Sequence, residues 1–238
     1  MQASDADNTR GDLRGYADSH GDKRLTKARK IEHLAGPVAG KRILDLGAGS
    51  GILSAYFAQR GAHVTPADRD TAPFQPDLPI VAITGSDLPF DDASFDLVVF
   101  NHVIEHVGER AAQSHILGEI VRVLRPGGQL YIAVPNKYAL IEPHFNLPLL
   151  GALPRSLADA MVRKWRDHTQ YDCYPLSYRE FLSLVRSHFA KVEDKAPEAF
   201  VWAVHHEMGA TPLRMVPARA ARLMSPIYPT LIALATKV

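Results

Sequence analysis

The chain has 238 residues, of which 46% are hydrophobic and 22% are charged, and its formal net charge is +1. This size predicts one domain with an elaboration, and the near-neutral charge argues against a polyanionic partner such as nucleic acid. The single cysteine, Cys173, cannot form an internal disulfide, and the polar start MQASDADNTRGD has no apolar signal-peptide core. The longest apolar stretches, such as IYPTLIALA, are too short to span a bilayer. We therefore expect a cytoplasmic protein with no transmembrane segment.

The first elements in chain order are a polar arm and a short helix, predicted within residues 1–35, ahead of a main domain over 36–238. From Arg42 onward, short β-like apolar runs alternate with segments of helical periodicity, which is the pattern of βαβ units. The predicted strands are RILDL, AHVT, IVAIT, FDLVVFN and QLYIAV, followed by FAKVED and PTLIALATKV. The fold class is therefore predicted as α/β, a doubly wound, mostly parallel seven-stranded sheet.

The regular pattern lapses after the fifth strand, over about residues 137–176, where prolines interrupt an apolar and aromatic stretch. We interpret this stretch as a cap-like insertion. Its apolar side chains, from Leu140 to Leu153, are predicted either to line an acceptor pocket or to form a satellite core. Ser177 and Glu180 predict a capping box that opens the next helix.

Three glycines, Gly47, Gly49 and Gly51, lie between the first predicted strand and a helix. Such a loop lets a ligand approach the backbone without a Cβ and meet unpaired N–H groups. The dinucleotide fingerprint G-x-G-x-x-G would need a third glycine where this chain has Ile52. A nucleotide-cofactor oxidoreductase is therefore kept only as an alternative, beside a cofactor-binding regulatory protein without turnover.

The spacing Asp45-x-Gly47-x-Gly49-x-Gly51, in the segment DLGAGSG, resembles motif I of the class I S-adenosylmethionine-dependent methyltransferases. The segments GSDLPFDDASFDLVVFNHVIEHV and RVLRPGGQLYIAVPN are similar to later motifs of that family, in the same order. Together the matching segments cover roughly residues 41–136. The closest likeness is to the small-molecule branch that includes ubiquinone and menaquinone biosynthesis methyltransferases.

The resemblance implies a Rossmann-like methyltransferase fold, S-adenosylmethionine as cofactor, and a small, partly apolar acceptor that is methylated on oxygen, nitrogen or carbon. It implies that Asp68 binds both ribose hydroxyls, because a carboxylate can accept two hydrogen bonds from a cis-diol. It further implies that Asp87 and the Leu88 backbone read the adenine and that Asn101 lies beside the methyl donor. The predicted cofactor-binding residues are Asp45, Gly47, Ala48, Gly49, Gly51, Asp68, Arg69, Asp87, Leu88 and Asn101.

The segment HVIEH, from His102 to His106, matches the H-x-x-E-H pattern of a metalloprotease helix, but the long amphipathic helix that pattern needs is missing. A similar E-x-x-E-H segment binds a divalent cation in some O-methyltransferases of the resembled family. Here His102 replaces the first glutamate, which weakens a magnesium site because magnesium prefers oxygen ligands. We therefore predict no metal. If the acceptor is a hydroxyl, the predicted catalytic bases are His106 and His144.

A short basic and apolar segment, LRMVPARAARLM, contains Arg214, Arg219 and Arg222. Such a segment is typical of a solvated face, and it leaves open a weak contact with an anionic membrane surface. The sequence does not predict an oligomeric state.

Overall fold

The computed structural model describes residues 21–166, 168–208, 211–215 and 217–238. The polar arm predicted before the first helix, residues 1–20, lies outside the described residues. The helices are α1 (Gly21–Ala35), α2 (Ile52–Gln59), α3 (Arg110–Val123), α4 (Arg155–Trp165), α5 (Tyr178–Arg186), α6 (Ala196–His206) and α7 (Ala218–Leu223). The strands are β1 (Arg42–Leu46), β2 (His63–Asp68), β3 (Val81–Ala82), β4 (Phe95–Asn101), β5 (Leu124–Pro135), β6 (Ile141–Glu142), β7 (Leu147–Pro148), β8 (Lys191–Asp194) and β9 (Thr230–Thr236).

Seven strands form one sheet in the order β3-β2-β1-β4-β5-β9-β8. Strands β1 to β5 are parallel, whereas β9 runs antiparallel to both β5 and β8. The predicted doubly wound, mostly parallel seven-stranded sheet is therefore confirmed. In this order β1 lies between β2 and β4. Strands β2 and β3 extend the sheet on one side of β1, and β4 and β5 extend it on the other side. Open α/β sheets form a ligand crevice at the point where the strand order reverses in this way.

Both faces of the sheet are buried, because successive side chains of a strand point to opposite sides. On β4, Leu97 and Val99 pack in the layer formed by α1, α2 and α6, whereas Val98 and Phe100 pack against α3 and α5. Helix α1 belongs to this core, since Ile31 is fully buried in it.

One predicted strand is shorter in the structure, one helix was not predicted, and one local prediction is confirmed. The predicted strand IVAIT is reduced to Val81–Ala82 at the sheet edge, and helix α6 was not predicted. Pro197 stands in the first turn of α6, a position where proline needs no hydrogen-bond partner for its nitrogen. The capping box is confirmed: Glu180 N donates to Ser177 Oγ and Ser177 N donates to Glu180 Oε2.

Residues 137–176 contain the two-stranded sheet β6–β7 and helix α4, and these pack on a small core of their own. Phe145, Leu147 and Leu150 are buried in that core, together with Cys173. In contrast, Leu140, Ile141 and Leu149 are exposed, with relative exposures of 73%, 49% and 48%. The apolar stretch is thus half satellite core and half exposed surface.

No helix within the described residues has both the length and the apolar character that crossing a bilayer requires.

Candidate functional site

The candidate site lies at the carboxyl ends of β1, β2 and β4, which meet at one edge of the sheet. The glycine loop follows β1, Asp68 ends β2, and Asn101 ends β4. Parallel neighbours bring these ends together, because Leu46 pairs with Ala67 and Asp45 pairs with Val99. The sheet therefore assembles the predicted cofactor residues of three separate sequence segments at its crevice.

The backbone N–H groups of the glycine loop are mostly engaged within the protein, contrary to the expectation of unpaired donors. Gly47 N and Ala48 N donate to the carbonyl oxygen of Ala67, Gly49 N donates to Asp68 Oδ2, and Gly51 N donates to the carbonyl of Ala48. The loop is held against β2 by these bonds. It is thus a fixed surface over which a ligand can lie.

Space around the three glycines differs from one position to the next. A Cβ at Gly49 would meet nothing within 4 Å, although its φ of +54° is in the left-handed region. A Cβ at Gly47 would lie 2.3 Å from Val103 Cγ2, and one at Gly51 would lie 2.5 Å from Phe74 Cε2. Neighbouring side chains therefore cover Gly47 and Gly51, and the loop is open for a ligand at Gly49.

The two carboxylates of this site have different surroundings. Asp68 is half-buried; its Oδ2 accepts the Gly49 N–H at 2.9 Å and its Oδ1 accepts the Asp70 N–H at 3.1 Å. Each of these oxygens keeps a second lone pair for a ligand hydroxyl. Asp45 is buried, and its Oδ2 accepts from Ser54 Oγ at 2.6 Å. Asp45 therefore fastens helix α2 to the end of β1.

Burial raises the pKa of Asp45 to about 6; the hydroxyl of Ser54 opposes the shift and the charge of Asp68 adds to it. Asp45 lies too deep for a ligand to touch its carboxylate, since only 1% of the residue is exposed. Its predicted part in cofactor binding is thus limited to positioning the loop.

The residues predicted to read adenine are turned towards helix α3. The Asp87 side chain is 75% exposed, and its Oδ1 lies 2.7 Å from His115 Nε2. Leu88 N donates to Glu119 Oε2 at 2.8 Å, and the Leu88 carbonyl accepts from Arg122 Nη2 at 2.9 Å. Both backbone groups of Leu88 are therefore already bonded, and adenine reading by Asp87 and Leu88 stays a prediction that this side-chain arrangement does not favour.

Three other predicted cofactor residues surround the crevice. Ala48 is buried in the loop, and Asn101 is half-buried at the end of β4. Arg69 is exposed, with Nη2 3.5 Å from the carbonyl oxygen of Gly85. Of these three, Asn101 stands next to the turn described below.

A cluster of histidines and acids follows Asn101, in the turn that begins at His102. This residue has a φ of +57°, a left-handed conformation that is strained for a side chain other than glycine. Residues Ile104–His106 then form one turn of 3-10 helix, which buries Glu105 and leaves His106 exposed. Val103 of the same segment is the side chain that packs on Gly47. The cluster is therefore in direct contact with the glycine loop.

The structure brings His144 to this turn from residues 137–176. Its Nε2 lies 3.2 Å from His106 Nε2 and 3.5 Å from Glu105 Oε1. Its Nδ1 lies 2.8 Å from Glu142 Oε1, and Glu142 Oε2 accepts the N–H groups of His144 and Phe145. His106 and His144, which the sequence predicted separately, are thus neighbours.

Cys173 also belongs to this cluster. Its Sγ lies 3.8 Å from His106 Nδ1, and the adjacent Tyr174 N donates to the Glu105 carbonyl at 2.7 Å. Among the described residues, neither Glu105 carboxylate oxygen has a hydrogen-bond partner, although the side chain is 0% exposed. The carboxylate oxygen Glu105 Oε1 lies 3.5 Å from His144 Nε2 and 3.6 Å from His102 Nδ1.

The pKa values in the cluster follow from burial and close charge. Burial lowers the pKa of His144, but Glu142, Glu105 and Asp172 outweigh it and the net pKa is raised. Burial alone would raise the pKa of Glu105, yet the surrounding histidines hold it below its ordinary value. Burial, with added repulsion from nearby carboxylates, raises the pKa of the Cys173 thiol.

Sequence reasoning missed three members of this cluster: Glu105, Glu142 and Cys173. In the sequence, Glu105 is considered only within the H-x-x-E-H pattern, Cys173 only as a disulfide partner, and Glu142 not at all. The spacing Glu142-x-His144 was an available signal, because a carboxylate two residues from a histidine in a turn can orient the ring. Nothing in the sequence placed Cys173 beside His106, since 66 residues of intervening chain bring the two together only in the fold.

Comparison with known proteins agrees with this geometry. Residues 44–132 match a family model described as a methyltransferase domain. A demethylmenaquinone methyltransferase of Clavibacter sepedonicus is 42% identical over 105 residues, which are 40% of this chain and 42% of that protein. A ubiquinone biosynthesis O-methyltransferase of Pseudomonas aeruginosa is 33% identical over 146 residues, covering 54% of this chain and 60% of that protein.

Among solved structures, an S-adenosylmethionine-dependent methyltransferase from Thermotoga maritima aligns over 95% of this chain and 97% of its own. Its TM-score is 0.58 at 16% sequence identity, so this similarity concerns the fold. The chain spans about half the length of the curated relatives it matches, 42% and 60% for the two named above.

Proposed function

We propose that this chain, which carries a class I S-adenosylmethionine-dependent methyltransferase domain, transfers the methyl group of that cofactor to a small, partly apolar acceptor. The observation that supports this most is the arrangement of Asp68 and Gly49. The Asp68 carboxylate is half-buried, and each of its oxygens keeps a lone pair for a ligand. It lies beside Gly49, the glycine of the loop where an added Cβ would meet no other atom within 4 Å. The two hydroxyls of a ribose can donate hydrogen bonds to such a carboxylate, and a ligand can come close to the backbone at such a glycine.

The cofactor supplies a sulfonium methyl group that is already activated for transfer. The protein therefore has to bind, align and exclude water, and good alignment alone contributes about 7 to 11 kcal/mol to such reactions. Asp68 would hold the ribose, Gly49 would allow close approach, and Asp45 would keep the loop in place through Ser54. Asn101, at the end of β4, would border the reacting methyl group.

The acceptor would approach along the exposed apolar side chains of residues 137–176. Leu140 and Leu149 are exposed next to each other on the β6–β7 hairpin, where Leu149 N donates to the Leu140 carbonyl. An apolar surface at the mouth of the crevice favours a ring or isoprenoid acceptor over a sugar, whose hydroxyls would lose water without gaining partners. The relatives named for menaquinone and ubiquinone biosynthesis support the same class of acceptor.

Proton acceptance by His106 or His144 stays a prediction, and their pairing bears on it. If His144 Nδ1 donates to Glu142, the lone pair of His144 Nε2 points to His106 Nε2, 3.2 Å away. A hydrogen bond between the two rings would then occupy that lone pair. In this arrangement neither imidazole is a base with a free lone pair. The proposed reaction therefore depends on the alignment of cofactor and acceptor and not on a histidine base.

The oxidoreductase alternative is not favoured, because residues 44–132 match a methyltransferase domain and Ile52 stands where the dinucleotide fingerprint needs its third glycine. The test is release of S-adenosylhomocysteine with a panel of acceptors: short-chain isoprenoid quinols, catechols, polar amines and sugars. We expect turnover with one of the aromatic, apolar acceptors. Turnover confined to polar acceptors would contradict the acceptor class, and absence of transfer to every acceptor despite tight S-adenosylhomocysteine binding would favour a regulatory protein.

A further inference from the structure

We propose that Glu105, His106, His144 and Cys173 bind one divalent cation of the zinc type. His106, His144 and Cys173 each offer one ligand atom, and these atoms lie within 4.8 Å of one another. The donor set differs from the carboxylate segment considered from the sequence, because it includes a thiol and draws two ligands from residues 137–176. The proposal replaces the expectation of no metal and does not depend on methyl transfer.

Two separations within the cluster are close to those around a tetrahedral ion. Zinc–nitrogen bonds of about 2.0 to 2.1 Å at tetrahedral angles place two nitrogen ligands roughly 3.4 Å apart, and a nitrogen and a sulfur roughly 3.6 Å apart. The observed separations are 3.2 Å from His106 Nε2 to His144 Nε2 and 3.5 Å from His144 Nε2 to Glu105 Oε1.

Cys173 Sγ is 3.8 Å from the other nitrogen of His106, Nδ1. One ion uses one nitrogen of that ring, so binding requires the His106 ring to turn. The residue is exposed to solvent.

Glu105 gives an independent reason to expect a cation. Both of its carboxylate oxygens are buried without a hydrogen bond from the described residues, and the Oε1 atom faces His144. A buried carboxylate in this condition is costly unless a cation or water satisfies it. With Glu105 and the Cys173 thiolate as anionic ligands and two neutral imidazoles, a divalent cation makes the set electrically neutral.

The hydrogen-bond partners of the proposed ligands are arranged as they are around metal-binding histidines in other proteins. Such histidines usually donate their second ring nitrogen to a carboxylate or carbonyl, which fixes the ring. Here His144 Nδ1 lies 2.8 Å from Glu142 Oε1, and two backbone N–H groups hold Glu142 in turn. Tyr174 N, bonded to the Glu105 carbonyl, fastens the Cys173 segment to the turn that bears Glu105 and His106.

The test uses the full chain without a histidine tag, stripped with a chelator and titrated with Co²⁺ and then Zn²⁺. We expect one equivalent of Co²⁺ to give the visible bands of a tetrahedral site and a thiolate-to-cobalt charge-transfer band in the near ultraviolet. Zn²⁺ should remove both. Cys173 is the only cysteine of the chain, so the charge-transfer band by itself assigns the sulfur ligand.

Variants separate this site from other arrangements. We expect Cys173→Ser to lose the charge-transfer band, His144→Gln to weaken Zn²⁺ binding roughly 100-fold or more, and Glu142→Gln to weaken it about 10- to 100-fold. His63→Gln, an exposed histidine at the start of β2, is the matched control and should change nothing. Circular dichroism and S-adenosylhomocysteine binding check that each variant folds.

Three results would overturn the proposal. The first is no stoichiometric Co²⁺ binding to the wild-type chain. The second is an octahedral cobalt spectrum without a charge-transfer band. The third is loss of binding in His102→Gln but not in His144→Gln, which would place the ion on the turn 102–106 alone.

Discussion

The Asp68 carboxylate accepts a hydrogen bond from the Gly49 N–H. In the proposed function it also binds the ribose diol of the cofactor. Removing a charged acceptor of two hydrogen bonds costs about 1.5 to 3 kcal/mol, or roughly 10- to 150-fold in affinity. We therefore expect Asp68→Ala to weaken S-adenosylhomocysteine binding by that factor in calorimetric titration. The S-adenosylhomocysteine affinity of Asp68→Asn, which keeps one acceptor oxygen, should lie between those of wild type and Asp68→Ala. Asp77→Ala, at an exposed position of the next loop, is the control, and an Asp68→Ala affinity equal to it would refute the assignment.

Asp45 predicts a pH dependence of stability. Its pKa is raised to about 6 in the folded chain, above the value of about 4 of an unfolded aspartate. The folded chain therefore binds more protons between about pH 4 and pH 6, and the free energy of unfolding falls as the pH rises through that window.

Asp45→Asn removes this titration while leaving an oxygen for Ser54. We expect the unfolding free energy of the variant, relative to wild type, to rise by up to about 3 kcal/mol between pH 4 and pH 7. Urea unfolding at several pH values measures the difference. A difference that stays constant with pH would mean that Asp45 titrates normally in the folded chain.

The glycine loop and the turn after β4 meet where Val103 packs against Gly47. Gly47→Ala should cost about 1 to 3 kcal/mol for overpacking and a further 1 to 3 kcal/mol for the left-handed backbone. Adding Val103→Ala should restore the free energy of unfolding lost through overpacking, but not the free energy lost through backbone strain. Gly40→Ala, with a φ of +75° and nothing within 4 Å of its Cβ, is the matched control for backbone strain alone.

The double-variant cycle is measured by urea unfolding. A coupling energy near zero between Gly47→Ala and Val103→Ala would show that the two elements do not press on each other. In that case the turn 102–106 would not be positioned by the glycine loop.

The sequence predicted the sheet and the positions of the glycine loop after β1 and of Asp68 at the end of β2, because those depend on local patterns. Strand periodicity, the glycines after β1 and the acid after β2 each lie within one short segment. The cluster around Glu105 was not predicted, since the 102–106 turn, His144 and Cys173 meet only through the packing of residues 137–176. The orientation of Asp87 towards His115 likewise depends on α3, which no local pattern near Asp87 reports.

At the scale of the whole molecule, the exposed apolar pair Leu140 and Leu149 predicts how the acceptor is recognised. Replacing both by serine should raise the KM for an apolar-tailed acceptor roughly 30-fold, since burying each leucine contributes on the order of 1 kcal/mol. S-adenosylhomocysteine affinity should not change. Leu223→Ser, at an 84% exposed position on α7, is the control. An equal rise in KM for a polar acceptor would indicate general damage instead of a lost apolar contact.

The central claim is that the crevice at the carboxyl ends of β1, β2 and β4 binds an adenosyl methyl donor. Native mass spectrometry of the full chain, incubated with equal concentrations of S-adenosylhomocysteine and NAD⁺, tests it most directly. The account predicts one bound S-adenosylhomocysteine per chain in wild type and a marked loss in Asp68→Ala. A bound nicotinamide nucleotide in place of S-adenosylhomocysteine would contradict it.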